Sequence, residues 1–263
     1  MPAHVPMYHP STFFMQQTIR ICLLIVLPLL IVHTACNKAG TASSSAAAAG
    51  GSLARFALVG QYLYLVGNDN FLTVYDIANP REPQRKSAQI IGFGIETIFP
   101  FKDKLFIGSS QGMYIYSLAD PAKPASEGAI GHFRSCDPVV ANDSVSYVTL
   151  RGGTLCGGDK NVLMVYDIRV AGKPAQVAEI TMSAPRGLGL GRNALYVCEG
   201  DRGLTVFDLA DPWHPARRQT LSDATYYDVI PYGDVLIAWT GAGVSFFDIS
   251  NPLQMVKAGE LIN

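Results

Sequence analysis

Apolar and polar positions alternate with period two in short runs of five or six residues, and the runs recur. Five strings share one shape: LTVYD at 72–76, MYIYS at 113–117, LMVYD at 163–167, LTVFD at 204–208 and VSFFD at 244–248. Their last residues, Asp76, Ser117, Asp167, Asp208 and Asp248, are spaced by 41, 50, 41 and 40. Period two is the signature of a β-strand. In LTVYD, Leu72 and Val74 face one way and Thr73 and Tyr75 the other. The second face is Tyr114 and Tyr116 in MYIYS, and Ser245 and Phe247 in VSFFD. Both faces are largely apolar, so each sheet expects cover on both sides, unlike a sandwich with one wet face.

What surrounds the strings repeats as well. Four residues after each string stand Pro80, Pro121, Ala171, Pro212 and Pro252, preceded by Asn79, Asp120, Val170, Asp211 and Asn251. Asx-Pro ends a strand, because proline cannot donate to a ladder and the Asx side chain closes a turn. Ahead of each string lies a second strand: YLYLVG, LFIGSS, VSYVTL, ALYVCE and VLIAWT. Ahead of that lies a third: RFALVG, ETIFPF, DPVVAN, RGLGLG and DVIPYG. A fourth follows the prolines, as in SAQIIG or VAEITM. Four strands in about 42 residues, five times over, predict an all-β, five-bladed β-propeller. The repeats run at about 53–94, 95–135, 136–185, 186–226 and 227–263. No segment after residue 35 has a helical period.

The N-terminus has a different character. Residues 21–32, ICLLIVLPLLIV, are twelve apolar residues behind Arg20. A membrane span needs about 20, whereas the core of a secretory signal needs 7–15. Thr34 and Ala35 then precede Cys36. This resembles the lipobox of bacterial lipoproteins, which implies cleavage before Cys36 and lipid attached to it. His33 departs from the usual Leu. Residues 1–35 are thus expected to be a signal peptide. Residues 36–52 are small and polar, and read as a lipidated tether. The folded part is expected over 53–263.

The strings and their Asx-Pro tails resemble the LVIVD repeat. Residues 92–116, together with SCDPVV and YVTLRGGTLCGG between 135 and 158, are similar to Bacteroidetes lipoproteins that carry it. The resemblance implies a propeller, a lipid anchor in the membrane and a cell-envelope address at the outer membrane. It implies no activity.

Composition narrows the chemistry. The 20 basic and 21 acidic residues leave a net charge of −1, which argues against a nucleic-acid partner. Of five cysteines, Cys22 leaves with the signal and Cys36 takes lipid. Cys136 opens the innermost strand of blade three and Cys156 lies in the inserted loop of the same blade, so an exported protein is expected to join them in a disulfide. Cys198 is expected to be a buried, inert thiol. His132 and His214 have no ligand spacing, and NDN at 68–70 and EGDRG at 199–203 lack the alternation of a calcium loop, so no metal or other cofactor is expected. There is no G-x-S-x-G, P-loop or H-E-x-x-H, and GLGLG at 187–191 leads to no helix.

One column remains. At the start of the innermost strand the blades read Arg55, Glu96, Asp137, Arg186 and Asp228. Each blade contributes a charge, although only 16% of the chain is charged. In a ring closed at five, four of the five neighbour contacts are attractive. The column is expected either to be a salt-bridge ring that fixes blade order or to form the polar floor of a ligand site, with Phe93, Phe133 and Tyr226 as stacking walls. The functional expectation is a non-enzymatic binding or scaffold propeller for an unknown protein or glycan. The alternative is a propeller hydrolase or lactonase with a central metal held by carboxylates.

Overall fold

The computed structural model describes residues 51–67, 70–131, 138–154, 158–170 and 172–262. These form five antiparallel sheets of four strands and no helix. Blade one is β1 (Phe56–Val59), β2 (Tyr62–Val66), β3 (Phe71–Asp76) and β4 (Gln84–Ile90). Blade two is β5 (Ile95–Phe101), β6 (Lys104–Ser109), β7 (Gly112–Ser117) and β8 (Ala125–Gly131). Blade three is β9 (Val139–Ala141), β10 (Val145–Arg151), β11 (Asn161–Asp167) and β12 (Ala175–Thr181). Blade four is β13 (Leu188–Gly191), β14 (Ala194–Cys198), β15 (Leu204–Asp208) and β16 (Ala216–Leu221). Blade five is β17 (Tyr226–Tyr232), β18 (Val235–Thr240), β19 (Gly243–Asp248) and β20 (Val256–Ile262). The architecture is a five-bladed β-propeller, and the five strings are the third strands.

The tails of the strings have the same hydrogen bonds in blade after blade. The string's last side chain takes the amide two residues on: Asp76 from Ala78 at 3.0 Å, Ser117 from Ala119 at 3.2 Å, Asp167 from Arg169 at 3.0 Å, Asp208 from Ala210 at 2.9 Å and Asp248 from Ser250 at 2.8 Å. The Asx before proline does likewise, Asn79 from Arg81, Asp120 from Ala122, Asp211 from Trp213 and Asn251 from Leu253. Two consecutive Asx or Ser turns thus reverse the chain between strands three and four. The pairing of those strands slips at one place in every blade, from Val74/Tyr75 to Phe246/Phe247, which is a β-bulge that adds twist. Fourth strands are polar and exposed, as in QRKSAQI and ARRQTL, which blunts the outer sheet edges.

Apolar faces pack blade on blade in four buried clusters, one for each of the seams from one–two to four–five. A tyrosine latch recurs at three of them. Tyr64 of β2 donates to the Pro121 carbonyl of blade two at 2.8 Å, Tyr147 of β10 to Pro212 at 2.7 Å, and Tyr196 of β14 to Pro252 at 2.8 Å. Each acceptor is the first proline after a string. Seam two–three lacks both partners: blade two has Phe106 at the latch position and blade three has Ala171 for proline. A cavity of about 130 Å³ lies there, lined by Phe106, Ile115, Ile168 and the Lys104–Glu127 ion pair.

The fifth seam is different. Among the described residues, no buried cluster joins blade five to blade one. The faces that would meet leave Phe56 59%, Leu58 43%, Tyr232 67% and Trp239 54% exposed. Blade five also has Ile237 at the latch position, which carries no hydroxyl. What ties the two ends together is the lead-in to β1, which crosses the mouth of the channel.

Candidate functional site

The innermost strands β1, β5, β9, β13 and β17 neighbour one another in that order, and the charged column sits where they begin. The lead-in 51–54 enters here. Ser52 is buried. Its Oγ accepts the Leu188 amide of blade four at 2.8 Å and donates to Asp228 Oδ1 of blade five at 3.1 Å. The Leu53 amide reaches Asp228 Oδ2 at 3.4 Å, and the Ala54 carbonyl takes the Ile98 amide of blade two at 2.9 Å. Four backbone residues therefore link blades two, four and five. Close approach on the far side needs a glycine: a Cβ on Gly187 would lie 2.1 Å from Asp228 Oδ1.

Asp228 is consequently a carboxyl turned inward. Burial pushes its pKa up to about 6, against the pull of the Val229 amide, Ser52 and Leu53. Among the described residues its hydrogen bonds come from Ser52, Leu53 and Val229, not from Arg186 or Arg55. Two of the attractive contacts expected of a salt-bridge ring are therefore not made. The reason is competition: Ser52 and the Leu53 amide occupy the carboxyl that the arginines would need. Arg55 turns to backbone, with Nη2 donating to the Ile95 carbonyl at 2.6 Å and Nε to that of Glu96 at 3.4 Å. Glu96 is half-buried near the start of β5. Asp137, Phe133, Cys136, Cys156 and Cys36 lie outside the described residues, and so does the expected disulfide.

Arg186 makes no ion pair among the described residues. Its amide donates to the Cys198 carbonyl at 2.8 Å, and its own carbonyl takes the Thr149 hydroxyl at 2.6 Å. Its guanidinium lies 5.0 Å from the centre of the Tyr227 ring, a cation–π distance. Its Nε is buried and has no hydrogen-bond partner. Gly200, at φ +59°, passes so near that a Cβ would lie 2.8 Å from that nitrogen. Tyr227 in turn meets Trp239, with ring centres 5.0 Å apart and planes at 51°.

Tyr226 is not a wall of this site. It is fully buried in the seam between blades four and five, its hydroxyl donating to Asp223 at 2.7 Å. A bulge between Tyr226 and Asp228 decides this, since the extra residue reverses which neighbour faces the mouth. Tyr227 takes the place expected of Tyr226, and Trp239 joins it. The two adjacent tyrosines are the visible signal in the sequence; the bulge that chooses between them is not. Phe93 is exposed, as a loop residue. Cys198 is a free, buried thiol whose pKa burial drives upward, as expected of an inert one.

Glu199 opens the EGDRG segment, which the sequence marks only as a turn lacking the alternation of a calcium loop. It is buried, and takes the Ser183 amide at 2.9 Å, the Thr205 hydroxyl at 2.9 Å and Arg217 Nη1 at 3.0 Å. These internal bonds brace blade four. The following residues 200–203 close a tight turn, with the Gly203 amide donating to the Gly200 carbonyl. His214 is exposed and paired with Asp211 at 2.8 Å. Among the described residues, no three His, Cys, Asp or Glu side chains converge as a metal set would.

Residues 50–88 match the LVIVD repeat family. This stretch is an LVIVD repeat. It covers blade one almost entirely. No curated protein matches the chain. Among solved structures, a functionally unknown protein from Desulfotomaculum acetoxidans is similar with a TM-score of 0.65 and 9% identity, over 77% of this chain and 67% of that one. A periplasmic gluconolactonase from Pseudomonas aeruginosa gives 0.60 and 13%, over 77% and 68%. BamB from Moraxella catarrhalis gives 0.55 and 10%, over 72% and 54%. These likenesses show the propeller fold. The chain spans 54% to 68% of the length of those three proteins.

Proposed function

We propose that the protein is a non-enzymatic lipoprotein of the cell envelope, anchored through Cys36, that binds a ligand at the mouth where the innermost strands begin. The observation that carries this reading is the group Arg186, Tyr227 and Trp239. A half-exposed tryptophan, a second ring against it and a guanidinium on that ring make an apolar platform with one strong donor beside it. Binding sites are commonly built this way, from apolar walls and few polar groups. The platform also borders the open seam, so a ligand reaches it without moving a blade.

A hydrolase or lactonase, as one structural neighbour is named, needs carboxylates directed at a common metal. Here Asp228 is directed at Ser52 and Leu53, Glu199 is committed to Arg217 and Thr205, and a cation stands at the same mouth. That arrangement favours binding over metal chemistry. The anchor rests on the apolar run and Cys36, and Cys36→Ser is expected to abolish lipid labelling and leave the precursor uncleaved. For the ligand face, a glycan array and a pull-down with purified protein and its Trp239→Ala variant are the direct test. Retention lost in the variant supports the reading. A lactone hydrolysis that needs a divalent cation and disappears in Asp228→Ala would replace it.

A further inference from the structure

The ligand of this mouth can be narrowed from Arg186. An arginine whose Nε is buried without a partner is costly, because a donor removed from water forfeits its hydrogen bond. Among the described residues, none is placed to repair the loss. Gly200 closes one side by its backbone, the Tyr227 ring takes the guanidinium face, and the nearby Asp228 carboxyl is bound elsewhere. A second guanidinium adds to the positive field. Arg151 ends β10 two residues beyond Thr149, hence on the same face of that strand, and Thr149 is bonded to the Arg186 carbonyl. Burial and the charge of Arg186 both lower the pKa of Arg151. Two like charges near each other in a partly desolvated mouth favour an anion.

The rings specify more than charge. Tyr227 and Trp239 meet at 51°, with Trp239 half-exposed on the forward face of blade five. An indole face open to water beside a hydrogen-bond donor suits a pyranose, whose axial C–H groups form an apolar face and whose rim is polar. Guanidinium suits carboxylate, sulfate or phosphate, which accept two parallel N–H bonds.

We propose that the mouth takes an acidic saccharide, with a sugar ring against Trp239 and its carboxylate, sulfate or phosphate group received by Arg186. This rests on the binding-module reading and specifies its ligand. The experiment is titration of the full-length protein, by calorimetry, with four probes: uronate oligosaccharides, sulfated oligosaccharides, neutral cello-oligosaccharides and inorganic sulfate. At least one acidic oligosaccharide is expected to bind, tenfold or more tightly than the neutral series, and more weakly as salt is raised. Arg186→Gln should remove the preference for the acidic probe, while Trp239→Ala should weaken acidic and neutral probes together. Trp239 is exposed, so its variant stays folded and keeps the test valid if Arg186→Gln does not fold. Equal binding of neutral and acidic sugars would overturn the assignment and leave the binding module standing. Sulfate binding as tightly as the best oligosaccharide would make this a plain anion site and remove the saccharide. Binding of no probe, with a protein retained through Trp239, would overturn the saccharide too; retention of neither would remove the binding module as well.

Discussion

The seam between blades three and four and the one between blades five and one use the same two faces of the same repeat, yet only the first is sealed. At the first, Tyr147, Leu163 and Val165 pack on Leu195, Val197 and Phe207, and the Tyr147 hydroxyl reaches across to Pro212. At the second, Ile237 replaces the latch tyrosine, and Phe56, Leu58, Tyr232 and Trp239 face water. Apolar character is present on both. What the open seam lacks is the polar link that fixes how two apolar sheets meet. Burial is non-directional, whereas a hydrogen bond to a defined carbonyl sets register. Seam two–three limits the lesson: it packs without a latch, so the latch sets how sheets meet but is not required for burial, and a cavity remains there.

The comparison is sharpest when residues of similar size are removed from each seam. Phe207→Ala, at the sealed seam, is expected to cost about 3–5 kcal/mol, measured by chemical denaturation. Trp239→Ala, at the open one, should change stability by less than about 1 kcal/mol. A loss for Trp239→Ala as large as for Phe207→Ala would show that the fifth seam is packed in solution.

Asp228, which holds the two chain ends together, gives a pH test of intermediate size. Its pKa is about 6 in the folded protein against an ordinary value of 3.8. A carboxyl with a raised pKa binds its proton more tightly when folded, so its contribution is fully present below pH 4 and is lost as pH rises through 6. About two pH units correspond to roughly 2–3 kcal/mol. Asp228→Asn should abolish that fall between pH 4 and 7, read as melting temperature against pH. An unchanged pH profile would place Asp228 in water and detach Ser52 from it.

Smaller effects are expected at the latches. Tyr147→Phe and Tyr196→Phe should each cost about 1 kcal/mol, since a carbonyl loses its donor at the rim of a buried seam. The Tyr196 hydroxyl, whose pKa burial raises to about 12, stays protonated and donating throughout the ordinary pH range. Ile237→Tyr supplies a hydroxyl with no packed neighbour, and should change stability by less than about 0.5 kcal/mol. A gain of 1 kcal/mol or more there would mean that blade one already lies close enough to be latched.

Much of this was legible in the chain. The period-two strings and their Asx-Pro tails give strands, turns and blade number, because both signals act within a few residues. The charged column was legible in place but not in partners: Arg55, Glu96, Arg186 and Asp228 do begin the innermost strands, while Asp228 pairs with a serine 176 positions away. The two adjacent tyrosines are visible in the sequence, but which of them is buried is set by a single bulge in β17.

The sequence by itself therefore determined what is local and repeated: the strand, the turn that ends it, the four-stranded unit and its five copies. Tertiary structure alone decided what is distant and occurs once: the lead-in across the mouth, the burial of Asp228 and Glu199, the Arg186–Tyr227–Trp239 platform and the unpacked fifth seam. The physical reason is range. Backbone hydrogen bonds and side-chain alternation are set by nearest neighbours, whereas burial, and with it the partner of each charge, is set by whichever segment arrives from elsewhere in the chain.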